Sequence, residues 1–320
     1  MDNKKPPCCA APACNCVASG RSDAGIRQTT STITLANRWD HLLLRWGWKR
    51  ENHRVTPGLY RLGNPTKESP VFASANLSLS FDIVRSSLAG FDAWILVLDT
   101  KGINVWCAAG KGTFGTEELV RRIVTDNLDA VVSHRKIIVP QLGAPGISWH
   151  EVLQKSGFIV EYGPVRASDL PEYLRTQIAT AAMRRVEFPM RDRVVLTPVE
   201  FVHLALPMIV VAAVLFILAG FPAALAAVSA VLAGTVLFPI LLPYIPTHDF
   251  SMKGLILGVI VAIPFAWIFG TNPELPAWAN ALGAVMAFLL IPAVVSYIAL
   301  NFTYRPELHR MYDLHIEDRC

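Results

Sequence analysis

The chain has 320 residues, a formal net charge of +4, and 17% charged against 52% apolar residues. Its Lys and Arg residues are scattered, with no basic stripe interleaved with aromatics, so nothing marks a nucleic-acid surface and none is expected as a partner. The averages hide a split: residues 1–200 carry charges of both signs, whereas 201–247, 254–273 and 275–304 contain no Asp, Glu, Lys or Arg. A soluble core helix rarely needs more than about 14 uncharged residues and a bilayer span needs about 20, so the last third is expected to lie in a lipid bilayer.

In chain order, residues 1–34 read as a disordered tail rich in Pro, Ala, Cys and Gly, without the apolar stretch of a signal peptide. The soluble half is therefore expected in the cytoplasm. Four of the six cysteines, Cys8, Cys9, Cys14 and Cys16, crowd into this tail, while Cys107 and Cys320 stand alone. That is no disulfide framework, and a reducing compartment would keep these thiols reduced. The tail thiols have spacings that could grip a soft metal, or they have no fixed task.

Residues 37–49, with Trp39, Leu42, Leu43, Leu44, Trp46 and Trp48 among Arg38, Arg45 and Lys49, suggest a short amphipathic helix. It would rest on a membrane surface or on the soluble domain. Residues 55–70 read as loop with short extended pieces. An alternating pattern comes next: helix 81–89, strand 94–99, helix 117–128 with Thr116 as N-cap, strand 136–140, helix 148–155 and strand 158–162. Residues 170–186 are mostly helical and 193–196 are a final strand. Together these predict a Rossmann-like α/β domain over 35–198 with a largely parallel sheet. Ligands in such domains sit beyond the strand C-termini, where the loops 101–115, 141–146 and 163–167 are rich in small residues.

An all-helical transmembrane domain is expected over 199–303, followed by a tail, 304–320. Four spans are predicted at 199–218, 221–242, 254–268 and 278–300, with a fifth left open. Arg184, Arg185, Arg191 and Arg193 precede the first and Arg305 and Arg310 follow the last. An even number of spans puts both clusters, and the soluble domain, on the cytoplasmic side. With no acidic or basic residue inside a span, an anchor is expected rather than an ion pump.

The chemistry concentrates at Cys107, in the loop after strand 94–99. Ala108, Ala109, Gly110, Gly112 and Gly115 leave room for a large ligand to approach, and Lys111 favours a thiolate. A thiolate is a nucleophile or a soft-metal ligand. Gly110 to Thr113 comes near a phosphate loop but fails its spacing, because Gly112 separates Lys111 from Thr113. A cysteine that is merely buried stays open as the alternative.

The octet Asn104, Val105, Trp106, Cys107, Ala108, Ala109, Gly110 and Lys111 resembles the signature of the corrinoid proteins of microbial mercury methylation. The resemblance extends to Thr56-Pro-Gly-Leu-Tyr60, Ser80-Phe-Asp82, Leu98-Asp-Thr-Lys-Gly-Ile-Asn104, Pro140-Gln-Leu-Gly-Ala144 and Tyr162-Gly-Pro-Val165. The soluble domain of that family is similar to the corrinoid-binding domain of the corrinoid iron–sulfur protein. The resemblance implies a cobalamin-type corrinoid with Cys107 as lower axial cobalt ligand on a cap helix spanning Asn104 to Lys111. It implies further corrin contacts from Thr113, Gly143, Ala144, Gly163 and Pro164. It also implies a corrinoid-dependent methyltransferase that passes a methyl group from methyl–cobalt to Hg(II). Its partners would be a ferredoxin-like reductant with two four-iron clusters and a methyl-donor protein not identified by the sequence. No cysteine set in the chain has ferredoxin spacing, so no iron–sulfur cluster is expected on it. The alternatives are a corrinoid methyl carrier of one-carbon metabolism and a non-catalytic membrane metal-binding or sensor protein.

Overall fold

The computed structural model describes residues 25–49, 52–187 and 189–303. Cys8, Cys9, Cys14, Cys16, Cys320 and the tail 304–320 lie outside them. The first part of the chain is a mixed α/β domain and the second a bundle of long apolar helices.

The domain contains β1 (Arg27–Thr29), α1 (Leu35–Arg45), β2 (Gly58–Leu62), β3 (Val71–Ala75), α2 (Ser78–Ser87), β4 (Ala93–Leu98), α3 (Val105–Gly110), α4 (Thr116–Thr125) and α5 (Leu128–Val131). It continues with β5 (Lys136–Val139), a 3-10 turn (Gln141–Gly146), α6 (Trp149–Ser156), β6 (Ile159–Tyr162), α7 (Leu170–Thr176) and α8 (Ala181–Arg184). The six strands run in the order β1-β2-β4-β3-β5-β6. Every pairing is parallel except β2 with β4. From β3 the chain passes to β4 on one side, then returns across β3 to β5 on the other. The C-terminal ends of β3 and β5 therefore border the switch point of a doubly wound sheet.

β3 and β4 are buried on both faces, which is why they read as apolar runs without alternation. On one face Leu59, Val71, Ala73, Leu96, Leu98, Ile137 and Val139 pack with Leu119 and Ile123 of α4 and Val152 of α6. On the other, Tyr60, Phe72, Ile95, Val97 and Ile138 pack with Phe81 and Leu88 near α2 and with Leu170 and Tyr173 of α7. Burying side chains of this size stabilises the domain by about 1.5–3 kcal/mol each.

Several expectations need correction. The short extended pieces expected within 55–70 include β2, whereas β3 lies in a stretch given no element. The tail gives way to β1 before residue 34. Thr116 is the first residue of α4 and Gly115 its N-cap; the Thr116 hydroxyl instead accepts the amide of Ser148. Residues 193–196 are helical, part of α9 (Met190–Leu232). Four apolar residues suit a strand or a buried helix equally, and here the long helical run after them decides.

The second part comprises α9, a π-helical turn (Ala233–Leu237), α10 (Phe238–Leu241), α11 (Phe250–Gly270) and α12 (Ala277–Thr303). Among the described residues, three helical runs are long and apolar enough to cross a membrane: Met190–Tyr244, Phe250–Gly270 and Ala277–Asn301. The first holds both spans expected within 199–242. They are separated at Gly220, whose φ of 79° and ψ of −176° interrupt the helix. α11 and α12 approach closely through small residues. A Cβ on Gly254 would lie 2.6 Å from that of Ala299, and one on Gly258 would collide with the backbone of Pro292. Such contacts replace the hydrophobic drive that is missing between helices in lipid.

Gly258→Leu should separate α11 from α12 and destabilise the bundle by about 1–3 kcal/mol, the usual cost of overpacking. Unfolding of the purified protein in mixed micelles, followed by far-UV circular dichroism, measures the loss. An unchanged transition would refute this packing.

Candidate functional site

The chain leaving β4 makes a tight turn before α3, and Asn76 holds it. Asn76 sits at the end of β3, buried to 3% exposure. Its Oδ1 accepts hydrogen bonds from the backbone N–H groups of Thr100 (3.1 Å) and Gly102 (2.9 Å), and lies 2.8 Å from the Thr100 hydroxyl. Its Nδ2 donates to Asp99 Oδ1 at 3.1 Å. Gly102, with φ +75°, supplies a left-handed step that a side chain would strain.

α3 then starts at a polar cap. Asn104 Oδ1 accepts the amide of Cys107 at 2.8 Å. Ala108 and Ala109 are buried in the domain core, whereas Val105, Trp106, Cys107 and Gly110 are half-buried. The small residues thus face inward and the thiol stands at the edge. Lys111 is the exposed C-cap, and its amide bonds back to the carbonyl of Cys107 at 3.1 Å. The amides of Thr113 and Phe114 both return to the Ala108 carbonyl, which closes the helix. Trp106 turns the other way and packs against the buried cluster of the apolar helices.

Beside α3 opens a cleft of about 510 Å³ lined by Asp99, Gly112, Thr113, Glu117, Glu118, Val120 and Arg121. Glu118 ties its walls together, accepting the amide of Asp99 at 2.8 Å and pairing with Arg122 and Arg121. Opposite α3 stands the 3-10 turn after β5. Phe114 fills the space between them: a Cβ on Gly143 would lie 2.5 Å from its ring, and one on Gly146 would strike its carbonyl oxygen. Gln141, at the start of that turn, has its Oε1 buried without a hydrogen-bond partner.

The residues named from sequence therefore divide. Asn104 to Lys111 come together on α3 and its caps, Thr113 alone of them lines the cleft beside it, and Ala144 is half-buried on the facing turn. Gly143, Gly163 and Pro164 are buried. A Cβ on Gly163 would lie 2.9 Å from Ile138, so space for packing explains both glycines. Asn76, Phe114 and Gln141 do not stand out in the sequence. The apolar run 71–75 between Pro70 and Asn76 was the available signal for the first. Among the described residues no three His, Cys, Asp or Glu side chains form a metal cage.

A doubly wound sheet with a capped helix near its switch point defines the class, a mixed α/β domain that carries a half-buried cysteine, Cys107, on that helix. Comparison with known proteins narrows the class. Residues 48–173 match the family described as CO dehydrogenase/acetyl-CoA synthase delta subunit. The acetyl-CoA decarbonylase/synthase complex subunit gamma of Methanopyrus kandleri is 34% identical over 131 residues, 40% of this chain and 28% of the relative. That of Methanothermobacter thermautotrophicus is 30% identical over 176 residues, 49% and 38% of the two chains. The corrinoid/iron-sulfur protein large subunit of Moorella thermoacetica is 27% identical over 150 residues, 44% and 33%. The names differ by subunit, delta against gamma. The chain spans about a third of the length of these curated relatives.

These findings correct the resemblance to the mercury-methylation family. The similarity lies with the acetyl-CoA decarbonylase/synthase proteins. Hg(II) as acceptor, a self-standing mercury methyltransferase, the ferredoxin-like reductant and the separate methyl-donor protein fall with it. The physical reason is local. Asn104 to Lys111 specify a capped helix that presents a thiol, and that geometry says nothing about which acceptor approaches it.

Two measurements check the site. Asn76→Ala leaves the buried amides of Thr100 and Gly102 without their acceptor, and should cost about 1–3 kcal/mol for each group left unsatisfied. Urea unfolding measures it; a loss below about 0.5 kcal/mol, as at an ordinary surface position, would show that the turn holds itself. Tyr173, near Gly163, has its hydroxyl pushed up to about 12 by burial and then by the Glu161 carboxylate. Its contribution to stability is full below the ordinary value of 10.0 and is lost as pH rises through about 12. The wild type should destabilise across that window, and Tyr173→Phe should flatten the slope.

Proposed function

We propose that this protein is a corrinoid-binding methyl carrier of one-carbon metabolism, related to the acetyl-CoA decarbonylase/synthase proteins and held at a membrane by its apolar helices. The observation that carries the reading is the placement of Cys107. It is the half-buried thiol on a helix pinned by Asn76 and Asn104, near the switch point, inside the stretch that matches corrinoid-complex subunits.

The residues fit a corrinoid. Ala108 and Ala109 keep the α3 backbone tight against the core, and their small side chains add no bulk beside the thiol. The orphaned Gln141 Oε1 is an acceptor suited to an amide of the corrin periphery. Asn104, Val105, Cys107, Gly110, Thr113 and Ala144 would border the macrocycle. A corrinoid supplies a cobalt centre able to take up and give up a methyl group. Cys107 would donate its sulfur to one face of the metal, and a thiolate donates more charge than imidazole or hydroxyl. Asn104 fixes the direction of that sulfur by holding its amide. The working partner is a multisubunit assembly of corrinoid and iron–sulfur proteins, not a free acceptor in solution. Arg184, Arg185 and Arg191 before the first span favour the cytoplasmic side for the α/β domain.

The test is anaerobic purification of the full chain with corrinoid supplied, followed by visible and EPR spectra and by uptake of labelled methyl from methyl iodide after chemical reduction. The wild type should bind corrinoid and take up label stoichiometrically. Cys107→Ala and Cys107→Ser should retain the fold, shift the cobalt spectrum and lose at least about 90% of the label, since an axial ligand governs the metal's electronics. Cys107→His should restore a ligated spectrum but not full uptake. A colourless wild type would overturn the function; an unchanged spectrum in Cys107→Ala would overturn the ligand.

A further inference from the structure

α1 is inside out for a helix on a soluble domain. Two of its polar side chains, Asp40 and His41, face the protein, while Arg38 and Arg45 are exposed. Asp40 meets His53 Nδ1 at 2.5 Å and accepts the Ser78 hydroxyl at 2.5 Å. His41 meets Asp82 at 2.8 Å, and Asp82 in turn holds Arg85. Leu44 is its buried apolar residue, at 5% exposure. Its apolar stripe faces away: Leu35 is 82% exposed, Trp39 62%, Leu42 44% and Trp46 52%, with Trp48 beyond the end at 61%. The positions 35, 39, 42 and 46 recur at helical spacing, so they form one continuous face. A face of this size, containing two tryptophans, would be a liability in water.

The place of the face says what covers it. A Cβ on Gly47, between Trp46 and Trp48, would lie 3.3 Å from the ring of His203 in α9. His203 comes after Glu200, the last charged residue before the charge-free run 201–247. The end of α1 thus stands level with the point where α9 becomes compatible only with lipid, and from there α9 exposes Leu206, Ile209 and Val210 outward. Arg38, Arg45 and Lys49 flank the stripe. At the other end of the bundle Trp267 and Trp278 are 73% and 72% exposed. Exposed tryptophans at both limits of the apolar helices are the pattern of two interfacial belts.

We infer that α1 lies in the headgroup region of the bilayer, with Leu35, Trp39, Leu42, Trp46 and Trp48 inserted among the upper acyl chains and Arg38, Arg45 and Lys49 at the anionic headgroups. The hydrogen bonds of Asp40 and His41 fasten the α/β domain to this helix. The domain is therefore laid against the membrane surface by a lipid contact of its own, distinct from the chain connection through α9 and from the packing of Trp106 on the apolar helices.

The full chain, which has eight tryptophans, is reconstituted in phosphatidylcholine–phosphatidylglycerol liposomes with or without bromine on the acyl chains. Wild type is compared with the triple variant Trp39→Phe, Trp46→Phe, Trp48→Phe. The difference emission, which reports these three side chains alone, should be blue-shifted and fall roughly two-fold in brominated liposomes, as for side chains at the headgroup–acyl boundary. A second variant, Leu35→Glu with Leu42→Glu, changes two exposed positions and should reduce that quenching while near-UV circular dichroism stays unchanged. Difference emission that is indifferent to bromine and open to acrylamide would show a water-exposed face and overturn the inference. Emission indifferent to bromine but shielded from acrylamide would show a protein on this face, a second copy or another partner, and overturn it equally. Emission remaining in the triple variant, which includes Trp267 and Trp278, reports separately on whether the bundle itself lies in lipid.

Discussion

The carboxamide of Asn76 reaches from the end of β3 to the turn after β4 and satisfies several groups that would otherwise be buried unpaired. Where the chain turns fixes where α3 starts, and Asn104 then fixes which way its first turn points. The position of Cys107 thus depends on two asparagines as well as on the packing of α3 against the sheet's core. The cost of an unsatisfied buried amide gives this arrangement its rigidity. The backbone that carries the thiol is therefore fixed before any ligand arrives.

Much of the α/β half was legible because its signals were physical. Apolar runs bounded by turns marked β4, β5 and β6, and amphipathic spacing marked α4 and α6. β3 escaped because Val71 to Ala75 is short, rich in small residues and buried on both faces, so it has neither alternation nor bulk. β2 was legible only as a short extended piece, because Pro and Gly residues dominate that segment. With β3 unseen, Asn76 had no reason to stand out. Residues 193–196 show the opposite error, a strand-like quartet drawn into a helix by the long apolar run on its C-terminal side. The site itself was legible as a place, Cys107 among small residues, but not as a mechanism. The same octet suits any protein that must present one thiol from a capped helix, and the relatives, not the motif, moved the reading away from mercury.

The matched stretch ends at residue 173, before the apolar helices begin. The α/β domain thus has its similarity to subunits of the acetyl-CoA decarbonylase/synthase complex, whereas the helical part adds a physical setting. In that setting the basic and aromatic residues of α1 matter more than their number suggests. A domain held only by its chain connection would swing freely; the packing of Trp106 and the contact of α1 with α9 restrict it, and a lipid contact of α1 would restrict it further.

Trp106 carries a further consequence, one of permitted motion. α3 is only six residues long, too short to bend. On one side Ala108 and Ala109 are fixed in the domain core, and on the other Trp106 is fixed against the cluster of the apolar helices. Cys107 lies between these two holds. A helix gripped at both ends cannot follow one of its neighbours without straining against the other, so the thiol keeps its position only while the domain and the helical bundle keep theirs. Alignment of the two halves is thereby an internal coordinate of the site, felt at Cys107 through the neighbouring indole ring.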